Sequence, residues 1–481
     1  MTDRDARMTF PRQKAPPPAA SRTAAIAAPA YIPADEIPAD TLEIARHALL
    51  DWLTALLAGW EDPAVLALRQ YAREEGKPPS GKGSRLLGSG ERVGKTNAAL
   101  VNGLASHVLD VDDAHLASRI HASAALWPSI FAVGESEKAS GMDALAAFVA
   151  GMEAGGMAAA LAGEGHYRRG WHNTATLGSF GATVAAARLM KLPPERLCHA
   201  LGLAATLTGG LRALFGTPGK PLHAGRAAAN GVMAADLAQR GVEAVTDIFD
   251  RSDGYLAVAG DSPSPPLPSG TRSRWQANEL LFKYHASCYG TQAPIEAALR
   301  LREQLIAQKG EKAVDMISRL DMEIEPQYLM VCDRPAPATA MEARFSVRHM
   351  AALALLGMDT VGNADIAGHL RNPALLALRQ RVRVIAAQKP ARAKAVLRAR
   401  LTDGGIREQS FDASRPEPLL KRQKERLRAK SSRLLASRFS PARIEALHQL
   451  IDGFAASSSV RHWVQEWSRL LLPELSLAAS A

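Results

Sequence analysis

The sequence predicts a mostly α-helical protein, with one large all-helical domain and a smaller α+β lid domain. Segments rich in Ala, Leu and Gly fill the first half, with apolar residues at helical spacing. A Pro- and Ser-rich run at 261–270 interrupts this texture, and short stretches of alternating apolar and charged residues follow it. A chain of 481 residues is also too long for one ordinary core, which favours two domains.

The first helix is predicted to begin near Asp40, whose carboxylate can cap it, and to end at Gly59. Between these residues, apolar side chains recur every three or four positions. Ala and Gly on the same faces allow close packing between helices. The same spacing predicts further helices at about 96–109, 123–138, 142–162, 175–190, 195–214 and 224–240.

The second half is predicted to contain a small sheet. Residues 320–325 alternate apolar and acidic side chains, and residues 381–385 and 395–401 alternate in a similar way, as half-buried strands do. Asp403-Gly404-Gly405 predicts a hairpin turn into a strand at 406–411. Helices are expected at about 290–308, 343–356 and 436–472. The predicted organisation is a disordered tail (1–30), a helical domain (31–268), a lid (269–430) and C-terminal helices that return to the helical domain (431–481).

Composition and cysteine spacing restrict the class of protein. A content of 47% hydrophobic and 22% charged residues is typical of a soluble globular protein. No run of about 18 uninterrupted apolar residues occurs, so we expect no membrane association. Cys198, Cys288 and Cys332 form neither a disulfide framework nor a CxxC motif, which indicates a reducing compartment, and we expect a cytoplasmic location.

The net charge of +10 comes largely from one segment, since residues 392–433 hold 13 Lys/Arg against 5 Asp/Glu. The run Lys421–Lys430 predicts a solvated helix face. No aromatic residues are interleaved with these charges, so stacking on bases has little support and no nucleic-acid partner is expected. A basic balance also helps to attract a polyanionic metabolite.

Three polar islands interrupt the apolar helical sequence. Burying a charged group or a histidine costs free energy unless the group is paired or has a functional role. Polar islands at breaks between helices therefore predict a shared cavity with acid–base chemistry. The islands lie at 107–121, 170–174 and 216–226, and their polar residues include His107, Asp110, Asp112, Asp113, His115, His121, His172, Lys220, His223 and Arg226.

Each island also has a purely structural interpretation. Asp112 and Asp113 could be solvated carboxylates at a capped helix end, and a lone histidine such as His172 is more often structural. A metal site in the first island is conceivable, but no compact ligand motif is present and none is predicted. In the third island, Pro218 and Pro221 are expected to prevent regular helix on both sides of Lys220.

The islands, in this order, resemble the MmgE/PrpD family, which includes 2-methylcitrate dehydratase, cis-aconitate decarboxylase and iminodisuccinate epimerase. The likeness extends from about residue 30 to 472. It implies a homodimer with a helical domain and an α+β lid, and catalysis without a metal or an organic cofactor. The landmarks are residues 48–52, 98–103, the HxxDxDD pattern at 107–113, Gly170-Trp171-His172, residues 220–228 and residues 342–346.

The resemblance implies roles for individual residues. Asp110, His121, His172 and Lys220 fall on positions that line the family's active site, and the loop around Tyr284, His285 and Cys288 faces it from the lid. The latter three are expected to bind substrate, with His223 and Arg226 as second choices for carboxylate binding. The sequence departs from the family pattern at Ala114 (often Thr), Gln292 (commonly His) and His349 (Tyr).

These residues predict proton abstraction next to a carboxylate or carbonyl of a small di- or tricarboxylic acid. His121 and His172 are expected to form the acid/base pair, since histidine exchanges protons near neutral pH. Asp110 would orient one imidazole, and Lys220 would stabilise the charge that develops on the substrate. A hydro-lyase is favoured, with a decarboxylase or an epimerase as alternatives. A non-catalytic homologue whose basic segment binds an acidic partner is a further alternative.

Overall fold

The computed structural model describes residues 21–75, 78, 83–267, 274–388 and 392–478, without the side chains of 363–365 and 471–478. It confirms a mostly α-helical fold with a small mixed sheet in the second half. The helices of the first half are α1 (Arg22–Ala27), α2 (Ala39–Gly59), α3 (Pro63–Glu74), α4 (Lys95–His107), α5 (Ala122–Glu137), α6 (Gly141–Arg168), α7 (Asn173–Leu189), α8 (Pro194–Leu207), α9 (Gly219–Gln239) and α10 (Tyr255–Ala259), with a two-stranded hairpin of β1 (Ser84–Arg85) and β2 (Arg92–Val93).

The second half alternates helices with four longer strands. These elements are α11 (Tyr289–Lys309), β3 (Ile317–Ile324), α12 (Pro326–Cys332), α13 (Ala340–Arg344), α14 (Val347–Leu355), α15 (Asn363–Gly368), α16 (Pro373–Gln380), β4 (Val382–Ala386), β5 (Lys394–Leu401), β6 (Ile406–Asp412), α17 (Leu420–Leu435), α18 (Pro441–Asp452) and α19 (Val460–Ala478). The strands form a sheet in the order β4-β3-β5-β6, where only the β3–β4 pair is parallel.

Apolar side chains form two cores. The first core joins α2 and α4–α9 with α17–α19. Aromatic rings pack across it: Trp127 of α5 stacks on Phe148 of α6 at 4.8 Å, and Phe131 of α5 meets Trp463 of α19 at 5.7 Å with tilted ring planes. The second core lies between α11, α14 and the sheet. Burial of this apolar area is the main force that stabilises both cores.

Helices α4 and α9 touch through their backbones. A Cβ atom on Gly103 would lie 2.6 Å from the Cα of Gly225, and a Cβ atom on Gly225 would lie 2.2 Å from the carbonyl oxygen of Leu100. Any side chain at either position therefore requires the two helices to separate. This contact lies close to the end of α4 and the start of α9, which both carry predicted site residues.

Two local predictions are wrong. Residues 21–30, assigned to the disordered tail, form α1 and a following 3₁₀ turn because Ser21 caps the helix and Ile26 is fully buried; residues 1–20 lie outside the described residues. Pro218 and Pro221 also do not keep Lys220 out of a helix, since α9 begins at Gly219. Proline is tolerated in the first helical turn, where its missing N–H has no helical partner.

Among the described residues, one helix is long and apolar enough to cross a membrane by length and composition. This helix is α6, and 83% of its most apolar window is buried inside the protein. It makes extensive contacts with α7 and belongs to the first core. The apolar character of α6 is thus accounted for by packing within the fold.

Gly225→Ala is expected to lower the free energy of unfolding by about 1–3 kcal/mol, because the new methyl group overlaps the Leu100 carbonyl. Urea unfolding followed by circular dichroism measures this change. Gly368→Ala is the matched control, since a Cβ atom there meets nothing within 4 Å. Equal stability of the two variants would contradict the close backbone contact.

Candidate active site

The N-termini of α5, α7 and α9 lie close together, and a predicted site residue stands at or next to each of them. His121 immediately precedes α5, His172 immediately precedes α7, and Lys220 lies in the first turn of α9. A helix N-terminus carries partial positive charge and unpaired backbone N–H groups. The convergence of three such ends beside a lysine favours an anionic ligand.

Asp110 is the centre of the charged groups. Lys220 Nζ donates to its Oδ1 at 2.6 Å, and Lys283 Nζ lies 3.2 Å from the same oxygen while donating to the Asp110 carbonyl oxygen at 2.6 Å. Burial disfavours the charged carboxylate, but the two ammonium groups overcome it and hold the pKa of Asp110 well below its usual range. The Asp110 backbone is left-handed, with φ of 55°, and this turn after α4 aims the carboxylate at both lysines.

His121 is oriented by Asp112 and a backbone carbonyl. The sequence predicts that Asp110 orients one imidazole of the His121–His172 pair, but the Asp110 carboxylate contacts the two lysines instead. Its Nδ1 donates to the carbonyl oxygen of Asp113 at 2.8 Å and lies 3.4 Å from Asp112 Oδ2. In the neutral imidazole, this leaves Nε2 unprotonated and able to accept a proton. The backbone N–H of His121 is itself held by Thr174 Oγ1 at 3.0 Å.

Asp112 also accepts from a second histidine. His107 Nδ1 donates to the Asp112 carboxylate at 2.9 Å, and the His107 and His121 rings lie 4.5 Å apart. Burial lowers the pKa of His107 to about 4 although Asp112 opposes the shift, so this imidazole is neutral at pH 7. Asp112 remains ionised and fully buried, which places a fixed negative charge beside His121.

His172 is neutral and paired with His223. Their Nδ1 atoms lie 3.1 Å apart, so one imidazole donates to the other. Burial and then the nearby Lys220 lower the pKa of His172 well below its usual range. The ring of Phe215 contacts His172 edge-on at 4.9 Å and lies 5.7 Å from Lys220 Nζ, so it packs close to both groups.

The third acid of the first island has a structural role. Asp113 accepts from the Ser123 backbone N–H at 3.1 Å and from the Ser123 hydroxyl, and thereby caps α5. It is fully buried rather than solvated, and burial raises its pKa to about 8, against the two bonds from Ser123. Asp113 is therefore mostly protonated at pH 7.

A buried ion pair between Lys430 and Asp51 contacts the backbone of segment 110–113. Lys430 Nζ donates to Asp51 Oδ1 at 2.5 Å and to the carbonyl oxygen of Val111 at 2.5 Å. Lys430 is only 2% exposed. The prediction of a solvated face for Lys421–Lys430 is thus wrong at Lys430, because the spacing of Leu427, Lys430 and Leu434 turns one side of α17 towards the cores.

The polar residues of the lid loop face in two directions, some towards Asp110 and others away from it. Lys283 points to Asp110, and Cys288 lies near both of these groups. His285 instead contacts Thr360 Oγ1 at 2.7 Å and Glu296 Oε1 at 3.2 Å. The geometry therefore gives no support for His285 as a ligand of a substrate held by Asp110 and Lys220.

Two further predicted substrate-binding residues lie away from the Asp110 cluster. The Tyr284 ring is covered by the Arg426 guanidinium at 3.6 Å, and Tyr284 lines a different cavity of about 290 Å³. Arg226 lies on the exposed face of α9, and within the described residues no hydrogen bond or ion pair joins it to the predicted site. The structure therefore brings together Asp110, His121, His172, Lys220 and His223.

The three departures from the family pattern have different surroundings. Ala114 pairs its backbone with Leu281, and its methyl group is buried. The Gln292 amide accepts from the His285 backbone N–H at 3.2 Å and donates to the Ser287 carbonyl at 3.2 Å, so it shapes the lid loop. His349 is fully buried, burial lowers its pKa to about 4, and its ring makes no hydrogen bond with the described residues.

Four side chains in the cluster could hold a metal ion by residue type. Atoms of His107, Asp110, Asp112 and His121 lie within 4.8 Å of one another. The two lysines on Asp110 oppose a further positive charge there. Metal-free chemistry therefore stays our prediction.

Sequence reasoning missed His107, Asp112 and Lys283 as parts of the machinery. His107 and Asp112 stand inside the first island, but the sequence does not show which acid faces which histidine. The sequence did contain a signal for Lys283, because this residue begins the polar segment 283–292 directly after three apolar residues. It is nonetheless 0% exposed, which only its pairing with Asp110 makes tolerable.

Comparison with known proteins matches both halves of the chain to one family. The model of the MmgE/PrpD N-terminal domain matches residues 28–267, and that of the MmgE/PrpD C-terminal domain matches residues 285–452. The chain belongs to the MmgE/PrpD family. The first matched region carries Asp110, His121, His172 and Lys220, and the second carries the lid loop from His285 onward.

Curated relatives in the MmgE/PrpD family match a little over half of the chain. A cis-aconitate decarboxylase-like protein, oryM, of Aspergillus oryzae is 33% identical over 289 residues, 56% of this chain and 58% of the relative. A cis-aconitate decarboxylase of Aspergillus terreus is 29% identical over 56% of this chain and 58% of its own length. The cis-aconitate decarboxylase of Homo sapiens is 32% identical over 55% and 56% respectively. The chain thus spans little more than half the length of these relatives.

Lys430→Met is expected to lower the free energy of unfolding by about 3–5 kcal/mol, because it leaves Asp51 as an unpaired buried acid. Urea unfolding measures the loss. Adding Asp51→Asn should recover part of the stability. Lys421→Met, at an exposed position of the same helix, is the matched control. A similar small effect of both lysine changes would contradict a structural role for the pair.

Asp113→Asn is expected to stabilise the protein increasingly as the pH rises from 5 to 7. The folded wild type keeps the Asp113 proton up to about pH 8, whereas the unfolded chain loses it near pH 4, so wild-type stability falls with pH. The difference in free energy of unfolding between the variant and the wild type should grow by roughly 1 kcal/mol per pH unit. Unfolding at several pH values tests this, with exposed Asp35→Asn as control. A constant difference would show that Asp113 is ionised.

Proposed function

We propose that the chain is a cofactor-independent lyase that acts on a small polycarboxylic acid by proton transfer beside a carboxylate. One observation carries the proposal: His121, with Nε2 free to exchange a proton, lies beside an ammonium–carboxylate group made by Asp110, Lys220 and Lys283. Lys220, Asp110 and His121 each keep 16–17% of their side-chain surface exposed, so a small ligand has access to them.

The substrate carboxylate would bind to Lys220 and the starts of α7 and α9. Lys220 is already anchored on Asp110, so its position requires little ordering when the ligand arrives. Negative charge that develops on the carboxylate in the transition state is then met by a fixed ammonium group and by helix N-termini. The neutral pair of His172 and His223 adds one outward N–H donor without excess positive charge, because the other N–H is used between the two rings.

His121 would move the proton. Its Nε2 can accept a proton from the carbon next to the carboxylate, and Asp112, 3.4 Å from Nδ1, stabilises the imidazolium that results. The same imidazolium can return the proton to another carbon. Asp112 is thus a positioning residue for the proton transfer, and Asp110 a positioning residue for Lys220.

Decarboxylation is the outcome that the comparisons favour, since the named relatives are cis-aconitate decarboxylases. For this reaction His121 starts as the imidazolium, after Nε2 has taken a proton from solvent, with Asp112 beside it. The bond to one carboxyl carbon breaks, and its electron pair forms a new double bond as CO2 leaves. The electron pair of the original double bond moves to the distant carbon, which takes the proton from the imidazolium and leaves His121 neutral. This places decarboxylation ahead of the elimination of water that the sequence alone favours. An α,β-unsaturated tricarboxylic acid of the cis-aconitate type is the proposed substrate class.

Elimination of water is the second candidate, and the position of two histidines favours it. His121 and His172 begin neighbouring helices, and Thr174 on α7 binds the His121 backbone. His121 can therefore take a proton from carbon, and the imidazolium that forms can give this proton to the departing hydroxide, which leaves as water. The neutral His172 can assist only by hydrogen bonding to that hydroxyl. The substrate would then be a hydroxylated acid such as citrate or 2-methylcitrate.

Proton NMR in D2O distinguishes the reactions with a panel of cis-aconitate, citrate, 2-methylcitrate, citramalate and iminodisuccinate. Decarboxylation removes the vinyl signal of cis-aconitate and releases CO2, elimination creates a vinyl signal from a hydroxy acid, and epimerisation exchanges a C–H proton for deuterium. Wild-type protein that changes no member of the panel would contradict the proposal and favour a non-catalytic homologue.

Lys220→Met is expected to lower kcat/KM by about 10²–10³-fold for whichever substrate reacts, because it removes the group that stabilises the developing charge. Lys421→Met, which removes an exposed lysine, should change kcat/KM less than twofold. Initial rates by NMR or by CO2 release give both values. Activity retained by Lys220→Met would remove Lys220 from the mechanism.

A further inference from the structure

Two cysteines that are distant in sequence meet behind the active site. Cys288 immediately precedes α11, Cys332 ends α12, and their Sγ atoms lie 3.2 Å apart. Both are free thiols within the second core. The sequence gives no sign of this pairing, because 44 positions separate the two residues and neither belongs to a CxxC motif.

We propose that Cys288 and Cys332 are a redox modification site, which forms a reversible disulfide when the protein meets a hydroperoxide. A disulfide has an S–S length of about 2.05 Å, so the two sulfurs need to approach by only about 1.1 Å from their present 3.2 Å. α12 has seven residues and is exposed on its outer side, where Met330 is 92% and Val331 47% exposed. A small shift of this short helix can close the gap.

Cys288 is the thiol that reacts first. It stands at the N-terminus of a 21-residue helix, where the partial positive charge favours a thiolate. Hydrogen bonding with Cys332 lowers the pKa of Cys288, and Lys283 and the Gly290 backbone N–H act in the same direction, while burial and the Asp110 carboxylate oppose them. The pKa of Cys332 is raised well above its usual value, so Cys332 is the resolving thiol.

The chemistry balances with one hydrogen peroxide. The Cys288 thiolate attacks one peroxide oxygen, the O–O bond breaks, and the released hydroxide leaves as water after it takes a proton. The Cys332 sulfur then loses its proton and attacks the sulfenic sulfur of Cys288. The S–O bond breaks and a second water leaves. Two thiols lose two electrons in total, and one peroxide is reduced to two waters.

The disulfide would act on the cluster around Asp110 through the lid loop. Lys283 stands in the same loop as Cys288, and its ammonium group contacts Asp110 Oδ1 at 3.2 Å. The Cys288 backbone N–H also donates to the Arg344 carbonyl oxygen at 3.0 Å, which ties the loop to α13. A displacement of Cys288 on disulfide formation would therefore also move Lys283, whose ammonium group contacts Asp110.

The test counts thiols in the native full-length chain. The protein is treated with hydrogen peroxide, denatured and alkylated with N-ethylmaleimide, and its mass is measured. We expect the labels to fall from three to one per chain, with Cys198 still labelled, and to return to three after dithiothreitol. Cys198→Ser should fall from two labels to none. In Cys332→Ser, Cys288 should stop at the sulfenic acid, which dimedone labels.

Met330 supplies an internal control, because its exposed thioether is oxidised by the same reagent. Conversion of Met330 to the sulfoxide while Cys288 and Cys332 remain fully labelled would overturn the inference. A disulfide that joins two chains would overturn it as well. The thiol count does not require turnover, so its result is independent of the proposed lyase activity.

Discussion

The ion pair of Asp110 with Lys220 and Lys283 is the interaction on which the site depends. It joins three segments: the turn after α4, the first turn of α9 and the lid loop before α11. Lys283 is fully buried, and removing Asp110 would leave it without the carboxylate that its ammonium group contacts. The Asp110 carboxylate therefore holds the lid loop against the helical segment through Lys283. It also fixes the position of the Lys220 ammonium group, which would bind the substrate.

The polar groups around this ion pair are kept neutral or charged by burial and by neighbours. His107 and His172 are neutral imidazoles, Asp113 is a protonated cap, and Asp112 keeps its charge because His107 and His121 face it. Three acids within four residues thus do not repel one another as three anions. Each has a separate partner: lysines for Asp110, histidines for Asp112 and a serine for Asp113.

Much of the fold follows from local sequence, and the details of the site do not. Period-two alternation at 320–325 and the Asp403-Gly404-Gly405 turn were sufficient to predict β3 and the β5–β6 hairpin. Breaks in helical sequence placed His121 and His172 next to helix starts, whereas Lys220 was predicted to lie outside the helix whose first turn contains it. Which aspartate orients His121, and which lysines meet Asp110, depends on contacts between distant segments. Lys430 was assigned to solvent because the surrounding charges hide the apolar spacing of its own helix face.

The contact between Gly103 and Gly225 sets the scale of the site. α4 continues from this contact towards Asp110, and α9 extends back from it to Lys220, so a contact between main chains brings together the two helix ends that carry the ion pair. Phe215, whose ring lies 5.7 Å from Lys220 Nζ, takes no part in this backbone contact. A scaffold built in this way can exchange the residues around the ion pair, and with them its choice of substrate, while the ion pair stays in place.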